Sequence, residues 1–199
     1  MSPTAYSAES VCTDHLKGCG AVVIDPGHGG KDPGTHSRMG ILEKDINLAI
    51  ATAVAANLHR SGIDVILTRS SDSFVALDRR VGIANNLGAR LFVSIHCDSS
   101  PVHSAKGFSV LVPHSLSGKA SSLAHVISDS LKGAGIQRHG LGREDHGVRV
   151  LDRTDAPAVL VEAGFLSNQI EASNLVTSTY QKKPADAIAS AIVEYLRNN

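Results

Sequence analysis

This sequence contains two histidines and two glutamates whose positions suit metal binding and proton transfer: His28, Glu43, His96 and Glu162. Two imidazoles and one carboxylate, from His28, His96 and Glu43, are the ligand set of a catalytic zinc site whose fourth position stays open. A metal in such a site lowers the pKa of its bound water from about 16 to about 7 and polarises a carbonyl group. Glu162 remains as the free carboxylate that accepts the proton and returns it to a leaving group. Together these side chains predict metal-assisted hydrolysis of an amide.

Each of these side chains also has an ordinary structural interpretation. A single histidine at the end of a strand is more often a hydrogen-bonded structural group, but a pair at the ends of two buried strands favours function. Glu43 is in the first turn of a predicted helix, where an acid complements the helix dipole. Glu162 ends an apolar run, where a buried carboxylate is costly unless a cation, metal or proton lies nearby. The remaining histidines occupy polar or helix-surface contexts and are expected to be structural: His15, His36, His59, His103, His114, His125, His139 and His146.

The elements that must position these residues are those of a layered α/β domain, because short β-branched runs alternate with segments of helical period. The predicted strands are Ala21–Asp25, Asp64–Thr68, Leu91–Ile95, Phe108–Val112 and Val159–Glu162. These runs are mostly apolar, which is typical of a sheet covered by helices on both faces. His28 follows the first strand in a glycine-rich turn, and such turns lie at the edge where open α/β sheets bind ligands.

Helical periodicity predicts four helices between and after these strands. They cover Lys44–Arg60, the segment from Leu77 to a stop at Gly88, a segment around Leu123 to Leu131, and a C-terminal segment around Ile188 to Leu196. The polar stretch 137–149 is predicted to be an irregular surface loop beside the site.

Composition places the chain among folded globular proteins of one domain. We expect a polar leader over residues 1–20 and a catalytic domain over residues 21–199. The 19 basic and 19 acidic residues cancel, which argues against a nucleic-acid partner, and no apolar stretch is long enough to span a membrane. The first twenty residues lack the apolar core of a secretory signal, so either processing has removed one or another route delivers the protein.

The three cysteines are too few for a disulfide framework. Cys12 and Cys19 lie in the polar leader without the partner pair of a zinc finger, and their spacing allows a local disulfide without requiring one. Cys97 directly follows His96, and we interpret it as a small buried side chain rather than as a nucleophile.

Five segments resemble the zinc-dependent N-acetylmuramoyl-L-alanine amidases, the amidase-3 family of peptidoglycan hydrolases. They are IDPGHGGKDPG around His28, LEKDINLA around Glu43, SIHCDSS around His96, AKGFSVLV after it, and PAVLVEAGFLSN around Glu162. The resemblance extends over nearly the whole chain after the polar leader, and the order and spacing of the motifs are specific to the family.

This resemblance implies a single-domain three-layer α/β sandwich, in which a twisted, mostly parallel sheet of about six strands has helices on both faces. It implies one zinc ion per chain on His28, Glu43 and His96, with Glu162 as the catalytic acid/base. The implied substrate is peptidoglycan, cleaved at the amide between the lactyl group of N-acetylmuramic acid and L-alanine. Such an activity implies an extracytoplasmic location, in the periplasm or the cell wall.

The chain departs from the family pattern in three respects. Cys97 stands where the family usually has a small residue such as alanine. The stretch His146–Arg149, HGVR, runs directly into the next apolar pair, whereas the family commonly has several residues there. The segment between His96 and Glu162 holds a strand, a helix and a loop, so we expect no inserted autoinhibitory helix and a permanently open site.

Substrate contacts and partners are less specified by the sequence. Arg138, Arg143 and Arg149 are candidates to pair with carboxylates of the stem peptide, although solvated loop arginines are common. No wall-binding repeat is present, so targeting must come from the domain itself, from removed residues or from a partner, and we expect a monomer. Two alternatives remain: another zinc amidohydrolase or peptidase acting on small peptides, and an inactive wall-binding domain.

Overall fold

The computed structural model describes residues 6–7, 20–114, 118–142 and 147–199 of the chain. Within them, one sheet is formed by β1 (Tyr6–Ser7), β2 (Val22–Pro26), β3 (Val65–Leu67), β4 (Leu91–Asp98), β5 (Phe108–Leu111), β6 (Arg138–Gly142) and β7 (Ala158–Phe165). The predictions made for Cys12, Cys19 and Arg143 concern positions outside the described residues.

The helices of the described part are α1 (Glu43–Arg60), α2 (Leu77–Leu87), α3 (Gly118–Gly133), α4 (Arg149–Asp152), α5 (Gln169–Leu175) and α6 (Ser178–Asn198). Periodicity predicted α1, α2, α3 and α6. Helix α1 buries Ile46, Ile50, Val54 and Leu58 at the predicted interval of four residues. Gly88 follows α2 with a φ of 59°, the left-handed conformation in which many helices end.

The strands lie in the order β1, β3, β2, β4, β7, β5, β6. Neighbours from β1 to β7 are parallel, β7 and β5 are antiparallel, and β5 and β6 are parallel to each other. The predicted mostly parallel sheet is therefore confirmed. Tyr6–Ser7 of the polar leader adds β1 at one edge, beside β3.

Alternate residues of the central strands point to opposite faces of the sheet and fill two cores. On one face, α1, α3 and α6 pack against strand residues such as Ile24, Val93 and Val161. On the other face, α2 and α4 cover a smaller cluster that includes Val23 and Phe92. Burial of each such side chain stabilises the fold by about 1.5–3 kcal/mol, so both faces contribute to holding the sheet in place.

The described residues of the segment 137–149, which are 137–142 and 147–149, are more regular than the predicted loop. Arg138–Gly142 forms β6 beside β5, and Arg149 begins α4. Strand β6 has no apolar alternation and contains two glycines, which weaken the sequence signal of a strand, and it forms because the edge of β5 supplies its backbone partners. Helix α4 has four residues, too few for a periodic pattern. None of the described helices is long and apolar enough to cross a membrane.

Candidate metal centre

Parallel strands bring the predicted site residues to one edge of the sheet. Strand β2 ends at Pro26, shortly before His28, and His96 in β4 lies opposite Glu162 in β7. Paired residues of neighbouring strands lie about 4.8 Å apart and point to the same face, so His96 and Glu162 share the face covered by α2. Both strands continue beyond these residues, because they pair with each other further along, and the predicted strand ends come too early.

Glu43, the first residue of α1, extends its carboxylate to both histidines. Its Oε2 lies 3.2 Å from His28 Nε2, and its Oε1 lies 2.9 Å from His96 Nδ1. One donor atom from each residue lies within 4.8 Å of the other two. Two ligands bound to tetrahedral zinc at about 2.0–2.1 Å are themselves ~3.3 Å apart, so the donor set and its spacing fit a zinc ion.

The Glu43 carboxylate is buried and held in place by further donors. The backbone amides of Thr35 and Cys97 donate to it at 2.9 and 3.2 Å, and the Asn47 side chain donates at 3.1 Å. Burial alone raises the pKa of Glu43, but its interactions with the two histidines hold that pKa well below the usual range. The group is therefore an oriented anion with two imidazoles beside it.

A second carboxylate lies beside His28. Asp32 Oδ2 lies 2.9 Å from His28 Nδ1, which leaves Nε2 facing Glu43. Carboxylates that hold the outer nitrogen of a ligating histidine fix its tautomer and ring orientation. Burial lowers the pKa of His28, but Glu43 and Asp32 together raise it above its ordinary value. Sequence reasoning missed Asp32, although it is within the motif quoted around His28.

Glycines make room for the site as well as reversing the chain. A Cβ atom on Gly27 would lie 2.2 Å from the His96 ring, and one on Gly34 would lie 2.4 Å from Glu43 Oε2. His28 itself has a φ of 58°, in the left-handed region that residues other than glycine rarely adopt. Such a conformation persists only where the surrounding structure enforces it.

A buried ion pair lies beneath the His28 turn. Arg80 Nη1 donates to Asp25 Oδ1 at 2.6 Å, and the same guanidinium donates to the carbonyl oxygens of Pro26 and His28, each at 2.7 Å. Ser94, two residues before His96, donates to Asp25 Oδ2 at 2.7 Å. Burial raises the pKa of Asp25, but Arg80 and the hydrogen bonds lower it below its ordinary value. In the sequence, the signal for this pair was Asp25, an acid at the end of a predicted apolar strand.

A cavity of about 380 Å³ opens beside His28 and His96. The exposed side chains of Phe74 and Leu77 line it. A larger groove of about 750 Å³ lies between α1 and α6, but no His or Cys is among the residues that line it. The smaller cavity is therefore the one that adjoins the chemistry.

Of the predicted substrate-binding arginines, Arg149 lines this cavity and donates to the Asp78 carboxylate at 2.9 and 2.7 Å. Arg138 is exposed at the first residue of β6, at the edge of the sheet and separated from β4 by β7 and β5. Arg143 is outside the described residues.

Cys97 points away from the site. Its side chain is 3% exposed and belongs to the larger core, on the face opposite His96. Burial raises the pKa of the thiol well above its ordinary value, so the reactive thiolate is disfavoured. This agrees with the interpretation of Cys97 as a small buried side chain.

Comparison with known proteins assigns the chain to a family. The family model described as N-acetylmuramoyl-L-alanine amidase matches residues 22–194. The chain belongs to this amidase family. A relative of this amidase-family chain, YqiI of Bacillus subtilis, is 37% identical over 196 residues, which are 98% of this chain and 91% of YqiI. The N-acetylmuramoyl-L-alanine amidase LytC of Bacillus subtilis is 36% identical over 88% of this chain, which spans 35% of LytC.

The fold is also that of solved amidases. The structure of the N-acetylmuramoyl-L-alanine amidase AmiC2 of Nostoc punctiforme superposes with a TM-score of 0.84 at 36% identity. The match covers 91% of this chain and 99% of AmiC2. Both the resemblance stated from the motifs and the predicted α/β architecture of this amidase-family member are therefore confirmed.

Proposed function

We propose that this chain hydrolyses the amide between the lactyl group of N-acetylmuramic acid and L-alanine in peptidoglycan. In this proposal one zinc ion is held by His28, Glu43 and His96, and Glu162 is the catalytic acid/base. The observation that carries the proposal is the meeting of the three donor atoms within 4.8 Å, beside a cavity and in a chain of the amidase family.

The protein supports the metal-binding role with its own contacts. Glu43 is kept anionic and oriented, His28 has its outer nitrogen beside Asp32, and Gly27 leaves space for the His96 ring. When bound there, zinc supplies a Lewis acid for the carbonyl oxygen and a water molecule of lowered pKa.

Glu162 is suited to proton transfer because of its register position. It lies opposite His96 on the neighbouring strand and on the same face of the sheet, next to the metal ligands without being one of them in the proposed set. We assign to its carboxylate the removal of a proton from the attacking water. The same proton is then delivered to the departing alanine amine as the carbon–nitrogen bond breaks. General acid–base catalysis of this kind contributes about 10²–10⁴ in rate.

No nucleophilic side chain is needed for this reaction. The Cys97 thiol is buried on the opposite face of the sheet, so it has no access to the substrate carbonyl. Water is the nucleophile in the proposal.

The site is accessible without a conformational change. The side chains of His28 and His96 are 25% and 19% exposed. Between His96 and Glu162, helix α3 packs against α6 and helix α4 packs against α2. We infer that the site is open, because no helix among the described residues 20–114, 118–142 and 147–199 covers it.

We infer that the stem peptide is bound partly through its carboxylates, by Arg149 together with Arg138 and Arg143. Arg149 has the best support because it lines the cavity. Its present partner is Asp78, and both side chains are largely exposed, so exchange of this pair for a substrate carboxylate costs little. Because peptidoglycan lies outside the cytoplasm, we infer that the protein acts there.

Digestion of purified peptidoglycan with and without a chelator tests substrate and metal together. The expected products are intact stem peptides with a free L-alanine amine and glycan free of peptide, identified by mass spectrometry. Activity should disappear with the chelator and return with zinc. Cleavage between two amino acids would instead assign the chain to peptidases of small peptides, and binding without cleavage would make it an inactive wall-binding domain.

Two substitutions test the residue roles. Glu162→Gln should retain zinc while turnover falls by about 10²–10⁴. Glu194→Gln, the same change at an exposed position of α6, is the matched control and should leave turnover unchanged. His28→Ala should lose the metal, and a full equivalent of zinc in that variant by elemental analysis would contradict the ligand assignment.

A further inference from the structure

Arg69 is a buried cation that donates only to backbone carbonyls among the described residues. It follows β3, is 2% exposed, and forms no salt bridge with a described carboxylate. Its Nε donates to Pro26 O at 3.0 Å, and its Nη1 donates to Ser71 O at 3.1 Å. Asp25, Asp72 and Asp45 favour its charge electrostatically without a salt bridge to it, so its hydrogen bonds to carbonyl oxygens must offset the remaining cost of burying the guanidinium.

The remaining nitrogen of Arg69 joins the segments that carry two of the proposed metal ligands. Nη2 donates to Gly27 O at 2.8 Å and to Lys44 O at 2.8 Å. Gly27 directly precedes His28, and Lys44 directly follows Glu43. Arg69 Nη2 therefore connects the backbone just before His28 to the backbone just after Glu43.

The backbone of the His28 turn packs tightly against the Arg69 guanidinium. A Cβ atom on Gly29 would lie 2.8 Å from Arg69 Nε and 2.2 Å from the Ser73 carbonyl oxygen, so the turn is packed directly on the guanidinium. His28, between Gly27 and Gly29, has the left-handed φ of 58°. Arg69 donates to the two carbonyl oxygens before His28, those of Pro26 and Gly27, and a left-handed conformation persists where such surrounding contacts enforce it.

The third ligand is connected to the turn by a separate route. Arg80 donates to the carbonyl oxygen of His28 and pairs with Asp25, which accepts from Ser94 on the strand of His96. Arg80 and Asp25 thus relate His28 to His96, whereas Arg69 relates His28 to Glu43. The two arginines share the carbonyl oxygen of Pro26 as an acceptor, but their other contacts lead to different ligands.

We propose that Arg69 is a positioning residue that sets the separation of His28 from Glu43 and thereby the zinc affinity of the site. The proposal rests on the metal site of the proposed function. Lysine cannot replace arginine in this role, because its single ammonium nitrogen cannot reach acceptors that are spread around a planar fork of three nitrogens.

The test is the zinc dissociation constant of Arg69→Lys, measured by competition with a chromogenic chelator on folded protein. Loss of an outer contact to a metal ligand costs about 10–100-fold in metal affinity, and we expect a weakening in that range. The visible spectrum of the cobalt-loaded protein, which reports ligand geometry, should also change. Arg69→Gln provides a second variant that removes the buried charge and retains one donor group.

A control variant separates positioning from a general loss of stability. Leu58 is fully buried near the end of α1 opposite Glu43. Leu58→Ala should lower the unfolding temperature of the metal-free protein, because truncating a buried leucine leaves a cavity, yet leave the zinc dissociation constant unchanged. Far-ultraviolet circular dichroism of the metal-free proteins establishes that each variant is folded.

The outcomes distinguish this proposal from the proposed function. If the parent binds zinc and hydrolyses peptidoglycan but Arg69→Lys binds zinc with the parental constant, only the role of Arg69 is overturned. An equal weakening in Leu58→Ala overturns it as well, as does loss of the fold in both Arg69 variants, which would assign Arg69 to overall stability. If the parent itself binds no zinc, the proposed function fails first.

Discussion

Replacing Gly27 with alanine tests whether the space beside His96 is part of the site. The added Cβ would lie 2.2 Å from both Cε1 and Nε2 of the His96 imidazole. Ordinary contacts between such atoms are about 3.5 Å or longer, so the ring must move by about 1 Å. Gly27 itself does not have a positive φ, so alanine brings no backbone strain.

Displacement of the ring disturbs its contact with Glu43. His96 Nδ1 lies 2.9 Å from Glu43 Oε1, so moving the imidazole disrupts the geometry of the proposed ligand set. Misplacing a catalytic group by about 1 Å costs about 10²-fold in rate. Loss of a contact that orients a metal ligand costs about 10–100-fold in metal affinity. We therefore expect Gly27→Ala to lose at least about 10²-fold in peptidoglycan hydrolysis, while the metal-free protein still folds and loses about 1–3 kcal/mol of stability, the usual cost of overpacking.

The assay is release of stem peptides from purified peptidoglycan at saturating zinc, with zinc affinity measured in parallel. Gly82→Ala is the matched control, because Gly82 lies inside α2 and a Cβ there meets nothing within 4 Å. That control should be fully active and more stable by up to about 1 kcal/mol, the helix preference of alanine over glycine. Parental activity and zinc affinity in Gly27→Ala would refute the reasoning.

Two further predictions concern groups that flank the site. Asp25→Asn should destabilise the protein by about 3–5 kcal/mol at neutral pH, because Arg80 is left buried without its charge partner. Since the folded-state pKa of Asp25 lies below the ordinary value of 3.8, the stability it contributes is fully present above that value and is lost as pH falls through the folded pKa. Urea unfolding with a chelator present should thus show a parent-to-variant difference that is constant from pH 5 to 8 and shrinks below about 4, and a constant difference throughout would contradict it. Cys97→Ala should keep the parental rate of hydrolysis and lose about 1 kcal/mol of stability, because the thiol fills the core and the backbone amide that donates to Glu43 is unchanged. A rate decrease of tenfold or more would return Cys97 to the chemistry.

The predicted elements differ from the observed ones where tertiary contacts replace local signals. Helix α1 was predictable because four apolar residues at intervals of four define a buried face within one segment. Strand β6 was not, because a partly exposed strand containing Gly140 and Gly142 has no such pattern and depends on β5 for its hydrogen bonds. For the same reason β4 and β7 run further than their apolar cores suggest.

The candidate site divides in a similar way. His28 and His96 could be singled out because each follows or ends a short strand signal. Glu162 stood out as a carboxylate ending an apolar run, Glu43 completed a zinc ligand set, and the resemblance of the surrounding motifs then implied the same roles. The groups that hold these residues were not evident, because Arg69 and Arg80 act through carbonyl oxygens some forty to fifty residues away. Every residue has a backbone carbonyl, so the spacing of residue types in the sequence does not indicate which side chain donates to a given carbonyl.

By itself, the sequence determined the α/β class, the four long helices, the candidate ligands and the family, because periodicity and motif order are properties of neighbouring residues along the chain. The tertiary structure decided that Glu162 lies opposite His96, that Glu43 reaches both imidazoles, and that two buried arginines clamp the His28 turn. Strand register and side-chain reach are set by contacts between distant segments, and those contacts exist only once the sheet has assembled.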